Sequence, residues 1–106
     1  MKNKRALWID NGNPTDEQSF EIVNCFGCVI VSGSDLARIE LNTVKDQSEY
    51  LRELDKLIED YNPKYVIGTI PVPVMYCVVN KYKDSKTVQF LSSWTRTKHW
   101  CFVRIF

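Results

Sequence analysis

The chain has 106 residues, of which 44% are hydrophobic and 25% charged, and this composition is typical of one compact domain with a single core. No apolar run approaches the roughly 18 residues that a membrane-spanning helix needs, and the apolar stretch after the basic N-terminus is too short for a secretion signal, so we expect a cytoplasmic protein with no membrane contact. The net charge of +1 hides an asymmetry, because residues 1 to 80 contain 8 basic and 12 acidic side chains, whereas residues 81 to 106 contain 6 basic and 1 acidic.

The first predicted elements are a strand and a helix. Residues 6 to 9 form a short apolar run that is typical of a buried strand, and loop-forming residues follow it. Thr15 begins a capping box, so a helix should start there and end at Gly27. Phe20 and Val23 lie at helical spacing, and we expect both side chains to face the core.

A second strand, an ambiguous segment and a long helix follow. Residues 28 to 31 predict a buried strand, whereas residues 36 to 45 fit either a short helix or an irregular crossing. The long helix has the clearest pattern in the chain, because its apolar residues recur at spacings of three and four. Asp46 and Glu49 can cap its start, and Pro63 ends it.

The chain then predicts a strand, a helix and two further strands. Residues 65 to 67 predict the strand and residues 72 to 82 the helix. Because this helix is apolar on nearly all sides, we expect it to be buried, and a subunit interface is one place for it. Residues 87 to 91 and 100 to 106 predict the last two strands, and the short polar segment between them is typical of an antiparallel turn.

The alternation of strands and helices predicts an α/β fold. We expect one Rossmann-like domain over residues 1 to 106, with a mainly parallel central sheet and helices on both faces. The C-terminal strand is expected at the edge of the sheet, antiparallel to its neighbour. In such a sheet the loops that follow the parallel strands meet at one edge, where ligands bind.

The loop after the third predicted strand is the strongest candidate for ligand contact at that edge. The strand ends at Gly68 and Thr69, where the chain enters a loop. Pro71 and Pro73 suit only a loop or the first turn of a helix. Amide groups at such a helix start attract anions, although an ordinary structural turn is as good an interpretation of this segment alone. The other polar residues expected at the same edge are Asn11, Asn13, Thr15, Ser32, Ser34 and residues 92 to 99.

The four cysteines include a pair, Cys25 and Cys28, with the spacing of a redox or metal motif. A structural zinc ion needs about four ligands, and Cys77, Cys101 and His99 form no second pair. A thioredoxin-like pair would lie where a strand enters a helix, whereas this pair lies where a helix leads into a strand. We therefore expect ordinary reduced thiols, with no metal and no cofactor.

The missing motifs exclude several common nucleotide enzymes. The chain has no Walker lysine, no Gly-x-Gly-x-x-Gly, no serine elbow and no His-Glu zinc motif. The residues suit instead the cleavage of an RNA-type phosphodiester by its own 2′-hydroxyl, in which Arg96 or Lys98 stabilises the developing charge and His99 transfers a proton. A surface histidine is a slightly better interpretation of His99 alone, and Trp94 could stack on a base or anchor the turn.

Several short motifs follow one another in an order found in a known family. Residues 65 to 72, Tyr-Val-Ile-Gly-Thr-Ile-Pro-Val, are similar to a Val-x-Gly-Thr-Leu-Pro-Val segment, and residues 76 to 80 to a Tyr-Leu-Val-Val-Asn segment. The strand that leads into residues 13 to 18 and the ending over residues 90 to 106 are similar as well. With these motifs, most of the chain resembles the small CRISPR-associated ring nucleases of type III systems, relatives of the CRISPR-associated Rossmann fold (CARF) domains.

The resemblance implies a ligand, an assembly and a reaction. The ligand is cyclic oligoadenylate, cyclic tetra-adenylate above all, bound at the two-fold interface of a homodimer. The reaction is metal-independent cleavage by a ribose 2′-hydroxyl, which switches off type III CRISPR antiviral signalling. By position, the resemblance puts Gly68 and Thr69 against ribose or phosphate, Asn13 and Thr15 along the first loop, and Ser92, Ser93 and Arg96 over the scissile phosphate. Together with the residues expected at the sheet edge, the candidate ligand-binding residues are Asn11, Asn13, Thr15, Ser32, Gly68, Thr69, Ile70, Ser92 and Trp94, and the candidate catalytic residues are Ser93, Arg96, Lys98 and His99.

Two departures from the family pattern bear on cleavage more than on binding. Pro73 stands where one branch can have histidine, and the closing hairpin is much shorter than in the other branch. A protein that holds the messenger without cutting it is therefore the first alternative. The second is a small nucleic-acid-binding adaptor, because residues 81 to 106 are cationic and carry the aromatic residues Trp94 and Trp100, although stable binding of a duplex is not expected.

Overall fold

The computed structural model describes residues 4 to 96 and 99 to 105, and over residues 93 to 96 and 99 to 104 it describes the backbone alone. The strands are β1 (Lys4–Trp8), β2 (Cys28–Ser32), β3 (Tyr65–Ile67), β4 (Gln89–Arg96) and β5 (His99–Arg104). The helices are α1 (Asp16–Phe20), which continues into a π-helical turn (Glu21–Cys25), then a 3₁₀ helix (Ser34–Arg38), α2 (Val44–Tyr61) and α3 (Val72–Tyr82). None of the helices in this part of the chain has the length and apolar character to cross a bilayer.

The strands form one sheet in the order β2-β1-β3-β4-β5. The first four strands in this order run parallel, and the backbone of β5 runs antiparallel to β4. Parallel neighbours need a crossover between them, and each crossover here contains a helix. The predicted α/β class, with a parallel sheet compatible with a single Rossmann-like domain, is confirmed.

The larger part of the core lies between the sheet and helices α2 and α3. Successive strand residues point to opposite faces, so Leu7, Val66 and Phe90 share one face while their chain neighbours share the other. Leu54 of α2 and Val74 of α3 are fully buried against this face. Burial of this kind stabilises the fold by about 1.5 to 3 kcal/mol for each large aliphatic side chain.

The opposite face of the sheet carries a smaller cluster. Trp8, Ile67 and Leu91 are buried there together with Ile22 from the π-helical turn. The Phe26 ring packs at 5.2 Å from the Tyr65 ring, measured between centroids. Helices therefore cover both faces, as predicted.

Helix α1 begins as predicted, but its second half differs from a regular α-helix. The Thr15 hydroxyl accepts a hydrogen bond from the backbone N–H of Gln18, and the Gln18 side chain accepts one from the Thr15 N–H, which completes the capping box. Beyond Phe20, the N–H of Phe26 donates to the carbonyl of Glu21, five residues earlier, so the helix widens by one residue. Phe20 and Val23 are 65% and 49% exposed, and the prediction that they face the core is wrong.

Helix α2 starts earlier than predicted because its cap is a different residue. The Thr43 hydroxyl accepts a hydrogen bond from the Asp46 N–H, and the Asp46 carboxylate accepts one from the Thr43 N–H. Asp46 is thus the third residue of the helix and not its cap. The helix ends at Tyr61, its cap Asn62 is left-handed at φ 46°, and Pro63 follows as predicted.

Helix α3 has the predicted bounds but not the predicted burial. Val74 and Val78 are fully buried, whereas Val72 is 85% exposed and Tyr76 76% exposed. Spacings of four residues keep each pair on one side of the helix. The sheet and α2 cover one side of α3, and the Asp55 carboxylate of α2 accepts hydrogen bonds from Lys81 and Tyr82. The prediction that α3 is buried on all sides is wrong for the single chain.

Strand β4 begins two residues later than predicted, at Gln89, and ends five residues later, at Arg96. Residues 92 to 96 were expected in a polar turn, but they continue the strand and pair with β5, with Ser93 opposite Phe102 and Trp94 opposite Cys101. The pairing between β3 and β4 stops at Ile67 and Leu91, so the last five residues of β4 pair with β5 alone. An antiparallel neighbour on the other side extends the hydrogen-bond ladder past that point, which polar side chains do not prevent.

Candidate functional site

The carboxyl ends of the parallel strands lie in one row across the sheet. Trp8 is in register with Ser32 on one side and with Ile67 on the other, and Ile67 is in register with Leu91. The residues that follow each strand therefore emerge at the same edge. The chain passes from β1 to β2 on one side and then to β3 on the other, so the crevice between β1 and β3 is the topological switch point, where open α/β sheets bind ligands.

Gly68 closes the backbone at this crevice. Its φ of 147° is a conformation that other residues rarely adopt, and an added Cβ would lie 2.6 Å from Ile9 Cγ1 and 2.9 Å from the Asp10 nitrogen. The Gly68 N–H donates to the Leu91 carbonyl at 2.9 Å, and the Ile9 N–H donates to the Ile67 carbonyl at 2.9 Å. The loop after β3 is thus packed against the loop after β1 with no room for a side chain.

Asp10 reaches across the crevice and binds the loop after β3. Its Oδ1 accepts a hydrogen bond from the Thr69 backbone N–H at 2.7 Å, although the two residues are 59 positions apart in the chain. The sequence predicted that the backbone amides of this turn attract an anion. In the structure one of them, the Thr69 N–H, already donates to the Asp10 carboxylate. Pro71 and Pro73 have no N–H, and the Val74 N–H donates to the Pro71 carbonyl. A phosphate here would compete with Asp10 and would find fewer amides than at an ordinary helix start.

Tyr50 belongs to the same region and was not expected from the sequence. It lies on α2, is 2% exposed and packs in the larger core cluster. Burial, and after it the neighbouring charge of Asp10, raises the pKa of Tyr50 to about 12. The phenol therefore stays protonated at neutral pH. Tyr50 recurs with the apolar residues of the long helix at spacings of three and four, but only the fold shows that it lies near enough to Asp10 for the charge to affect its pKa.

The first loop presents its polar residues to solvent. Asn11 and Asn13 are exposed, and the Trp8 indole N–H donates to the Gly12 carbonyl at 3.1 Å, which closes this loop over the sheet. The Thr15 oxygen already accepts the N–H of Gln18 as the cap of α1. Asn11 and Asn13 are therefore available to a ligand, whereas Thr15 has a structural role as well.

The remaining predicted contacts lie on both sides of the crevice. Ser32 is exposed at the end of β2, with its hydroxyl 3.1 Å from that of Ser34. Ser92 is half-buried on β4, directly after the Leu91 carbonyl that binds Gly68. Ile70 is 2% exposed and packs in the larger core cluster, so only its backbone is available to a ligand.

Three of the four predicted catalytic residues lie on the last two strands. Ser93, Trp94 and Arg96 lie on the backbone of β4 and His99 begins β5, but their side chains are outside the described part of the structure. Lys98 is outside the described residues altogether. Their roles stay predictions.

An acidic cavity lies next to Ser32. It has a volume of about 240 Å³ and is lined by Gly33, Leu36 and three acidic side chains, Asp35, Glu49 and Glu53, among others. Carboxylates repel phosphates, so a polyanionic ligand would avoid this side of β2. Within residues 4 to 96 and 99 to 105, no cluster of three or more His, Cys, Asp or Glu side chains could hold a metal ion.

The Cys25 and Cys28 pair consists of one exposed and one buried thiol. Burial raises the pKa of Cys28, and the nearby charges of Lys4 and Lys64 lower it in part. The Cys28 thiol donates to the Phe26 carbonyl at 3.5 Å. A thiol with a raised pKa is a poor nucleophile, which favours a packing role for Cys28.

Comparisons with known proteins identify no relative of this chain: no family model matches, and neither the curated proteins nor the solved structures contain a significant match.

Proposed function

We propose that this protein binds cyclic oligoadenylate, with cyclic tetra-adenylate as the first candidate, at the carboxyl edge of its sheet and cleaves it without a metal ion. The observation that carries the proposal is the crevice at the switch point, where Gly68 packs against Asp10 and exposed hydroxyl and amide side chains stand on either side. The resemblance to type III ring nucleases supplies the identity of the ligand. Cleavage would switch off type III CRISPR signalling in the cytoplasm.

The chemistry of the crevice favours a ribose-rich ligand over a free phosphate. One oxygen of the Asp10 carboxylate accepts the Thr69 N–H, and the other can accept a ribose hydroxyl. Asn11 and Asn13 offer uncharged donors to phosphate oxygens, whereas Ser32 lines the acidic cavity and suits a ribose hydroxyl better. In the proposed reaction a ribose 2′-hydroxyl attacks the adjacent phosphorus, Arg96 or Lys98 stabilises the charge on the phosphorane, and His99 assists proton transfer.

A homodimer is part of the proposal. A two-fold interface presents each residue twice, which suits a cyclic ligand made of repeated units. Val72 and Tyr76 form an exposed apolar side of α3, three and seven residues after Thr69. A second copy that covers this side would bring two Thr69 loops toward one ligand.

The first experiment incubates the protein with cyclic tri-, tetra- and hexa-adenylate in excess chelator and follows each by liquid chromatography and mass spectrometry. We expect linear fragments that end in a 2′,3′-cyclic phosphate from one ring size. The variants Arg96→Ala and His99→Ala should slow cleavage, and the matched variant Lys45→Ala on the exposed start of α2 should not. If every ring survives and none is retained, the proposal is wrong.

Sequestration without cleavage is the second candidate, and one observation favours it. Of the side chains described at the crevice, Asp10 is the one carboxylate, and the Thr69 N–H already holds one of its oxygens, while the other crevice side chains are amides and hydroxyls. Tyr50 is kept protonated by its raised pKa. Recovery of an intact ring from a tight complex, with stoichiometry of one ring per two chains by native mass spectrometry, would support this function.

A further inference from the structure

A basic groove lies at the amino ends of the strands, across the sheet from Asp10 and Thr69. Its volume is about 500 Å³. The groove is lined by Lys4 and Arg5 at the start of β1, Lys64 and Thr87 shortly before β3 and β4, and Asp60 and Tyr61 at the end of α2. These residues are far apart in the sequence, and the parallel sheet brings them together because all its parallel strands begin at this edge.

Backbone hydrogen bonds fix the positions of the cationic residues. The Lys64 N–H donates to the Arg5 carbonyl at 2.8 Å, and the Gln89 N–H donates to the Lys64 carbonyl at 2.9 Å. The Arg5 guanidinium donates one hydrogen bond to the Tyr61 carbonyl at 2.9 Å. A guanidinium has five N–H groups, so this bond orients Arg5 and leaves donors for a ligand.

The groove holds more positive than negative charge. Within the described part of the chain, neither Lys4, Arg5 nor Lys64 forms an ion pair, and Asp60 is the one carboxylate in the lining. Lys4 and Lys64 both lie near Cys28, where their charges act on the same thiol. Asp60 offsets only part of this positive charge, and binding of an anion with several charges would reduce the repulsion that is left among the three cations.

We propose that this groove binds the backbone of a single-stranded nucleic acid, at a site separate from the crevice. Three cations along an open groove of about 500 Å³ suit consecutive phosphates of one strand. Tyr61 is 37% exposed at the rim, and its ring offers a face for base stacking. An acidic peptide would satisfy the charges but would leave this aromatic surface unused, so nucleic acid is the favoured partner.

The test measures fluorescence anisotropy of a labelled single strand of about 12 uridines or thymidines, within the usual site sizes of single-strand binders, from 50 to 200 mM salt. For three neutralised phosphates we expect log K to fall against log salt with a slope of about −2. Lys4→Gln with Lys64→Gln should weaken binding at least about tenfold at low salt and reduce the slope by about 1.4. Asp60→Asn should tighten binding, because it removes the repelling charge.

The control carries the same change of charge elsewhere. Lys45→Gln with Lys83→Gln removes two exposed lysines outside the groove and should leave the slope unchanged. Equal slopes for the groove variant and the control would overturn the proposal, as would polyglutamate competing as strongly as the oligonucleotide. If the groove variant does not fold, Asp60→Asn decides: tighter binding supports the proposal and unchanged binding overturns it.

Loss of cyclic oligoadenylate binding is a separate outcome. The groove variant should retain the ring as the parent protein does, because its substitutions lie at the far edge of the sheet. Failure of the crevice to bind any ring would leave the salt-slope comparison unaffected, so the two proposals can fail independently.

Discussion

The two edges of the sheet differ in whether their charged side chains have a polar partner within the chain. At the carboxyl edge, the charge of Asp10 is held by the Thr69 N–H inside a crevice that Gly68 closes. At the amino edge, Lys4 and Lys64 stand without an ion pair in the described part of the chain. A charge with a fixed hydrogen-bond partner contributes to the fold, whereas solvent-accessible lysines without a carboxylate partner contribute little, even with Lys64 over the Tyr65 ring. The comparison therefore predicts that substitutions at the carboxyl edge reduce stability and that substitutions at the amino edge do not.

Gly68→Ala tests the closed crevice and should have the largest effect. The new methyl group would overlap Ile9 Cγ1 at 2.6 Å and would be held at a φ of 147°, so we expect a loss of about 3 kcal/mol in the free energy of unfolding. Urea denaturation measures it. Gly12→Ala is the matched control, because Gly12 also has a positive φ, of 75°, but has nothing within 4 Å, and it should cost about 1 kcal/mol. Equal losses would mean that the crevice is not closely packed.

Alkaline pH tests the burial of Tyr50 beneath that edge. The pKa of Tyr50 is raised from 10 in the unfolded chain to about 12 in the fold. A raised pKa means that the folded state holds its proton more tightly, so this contribution is fully present below pH 10 and is lost as the pH rises to 12. The loss should be about 2 to 3 kcal/mol.

The measurement compares the parent protein with Tyr50→Phe between pH 9 and 12 by urea denaturation. Burial and the hydrogen bond to Asp55 also raise the pKa of Tyr82, but Tyr82 is present in both proteins and cancels in the difference. The parent should lose more stability than the variant. Parallel curves would show that Tyr50 titrates as an exposed phenol and that the carboxyl edge is open to water.

Asp10→Ala tests the hydrogen bond across the crevice, with a smaller effect. Thr69 would lose a charge-assisted acceptor that is partly exposed, and we expect a cost of about 1.5 kcal/mol. Asp10→Asn keeps an acceptor oxygen and should recover about half of the loss. Thermal unfolding measures both. If Asp10→Ala were as stable as the parent protein, the hydrogen bond from Thr69 to Asp10 would not stabilise the fold.

The amino edge should show the smallest effect of all. Lys4→Gln with Lys64→Gln should change the free energy of unfolding by less than about 0.5 kcal/mol, because neither side chain has an acidic partner in the described structure. The same denaturation series measures it. A large loss of stability would mean that these lysines hold the fold together, and the contrast between the two edges would disappear.

The sequence predicted elements well where the signal was local. The Thr15 capping box, the bounds of β3 and the bounds of α3 agree with the structure. These depend on a few neighbouring residues: a side-chain cap, a short β-branched run, and prolines at a helix start. The start of α2 was also a local signal, and Thr43 three residues before Asp46 is the capping box that would have placed it correctly.

The predictions failed where the outcome depends on distant residues. Strand β4 extends to Arg96 because β5 pairs with it, which no property of residues 92 to 96 shows. The bond between Asp10 and Thr69 joins residues 59 positions apart. The sequence placed the cationic surface in residues 81 to 106, whereas the groove at the amino edge draws its cations from Lys4, Arg5 and Lys64, which only the parallel sheet brings together.

The π-helical turn over Glu21–Cys25 adds one residue to the helix that connects β1 and β2. A turn closed by Phe26 on Glu21, five residues earlier, contains one residue more than the α-helical turn that would otherwise join Phe20 to Gly27. Deletion of a single residue there would restore a regular helix and leave β1 and β2 in register.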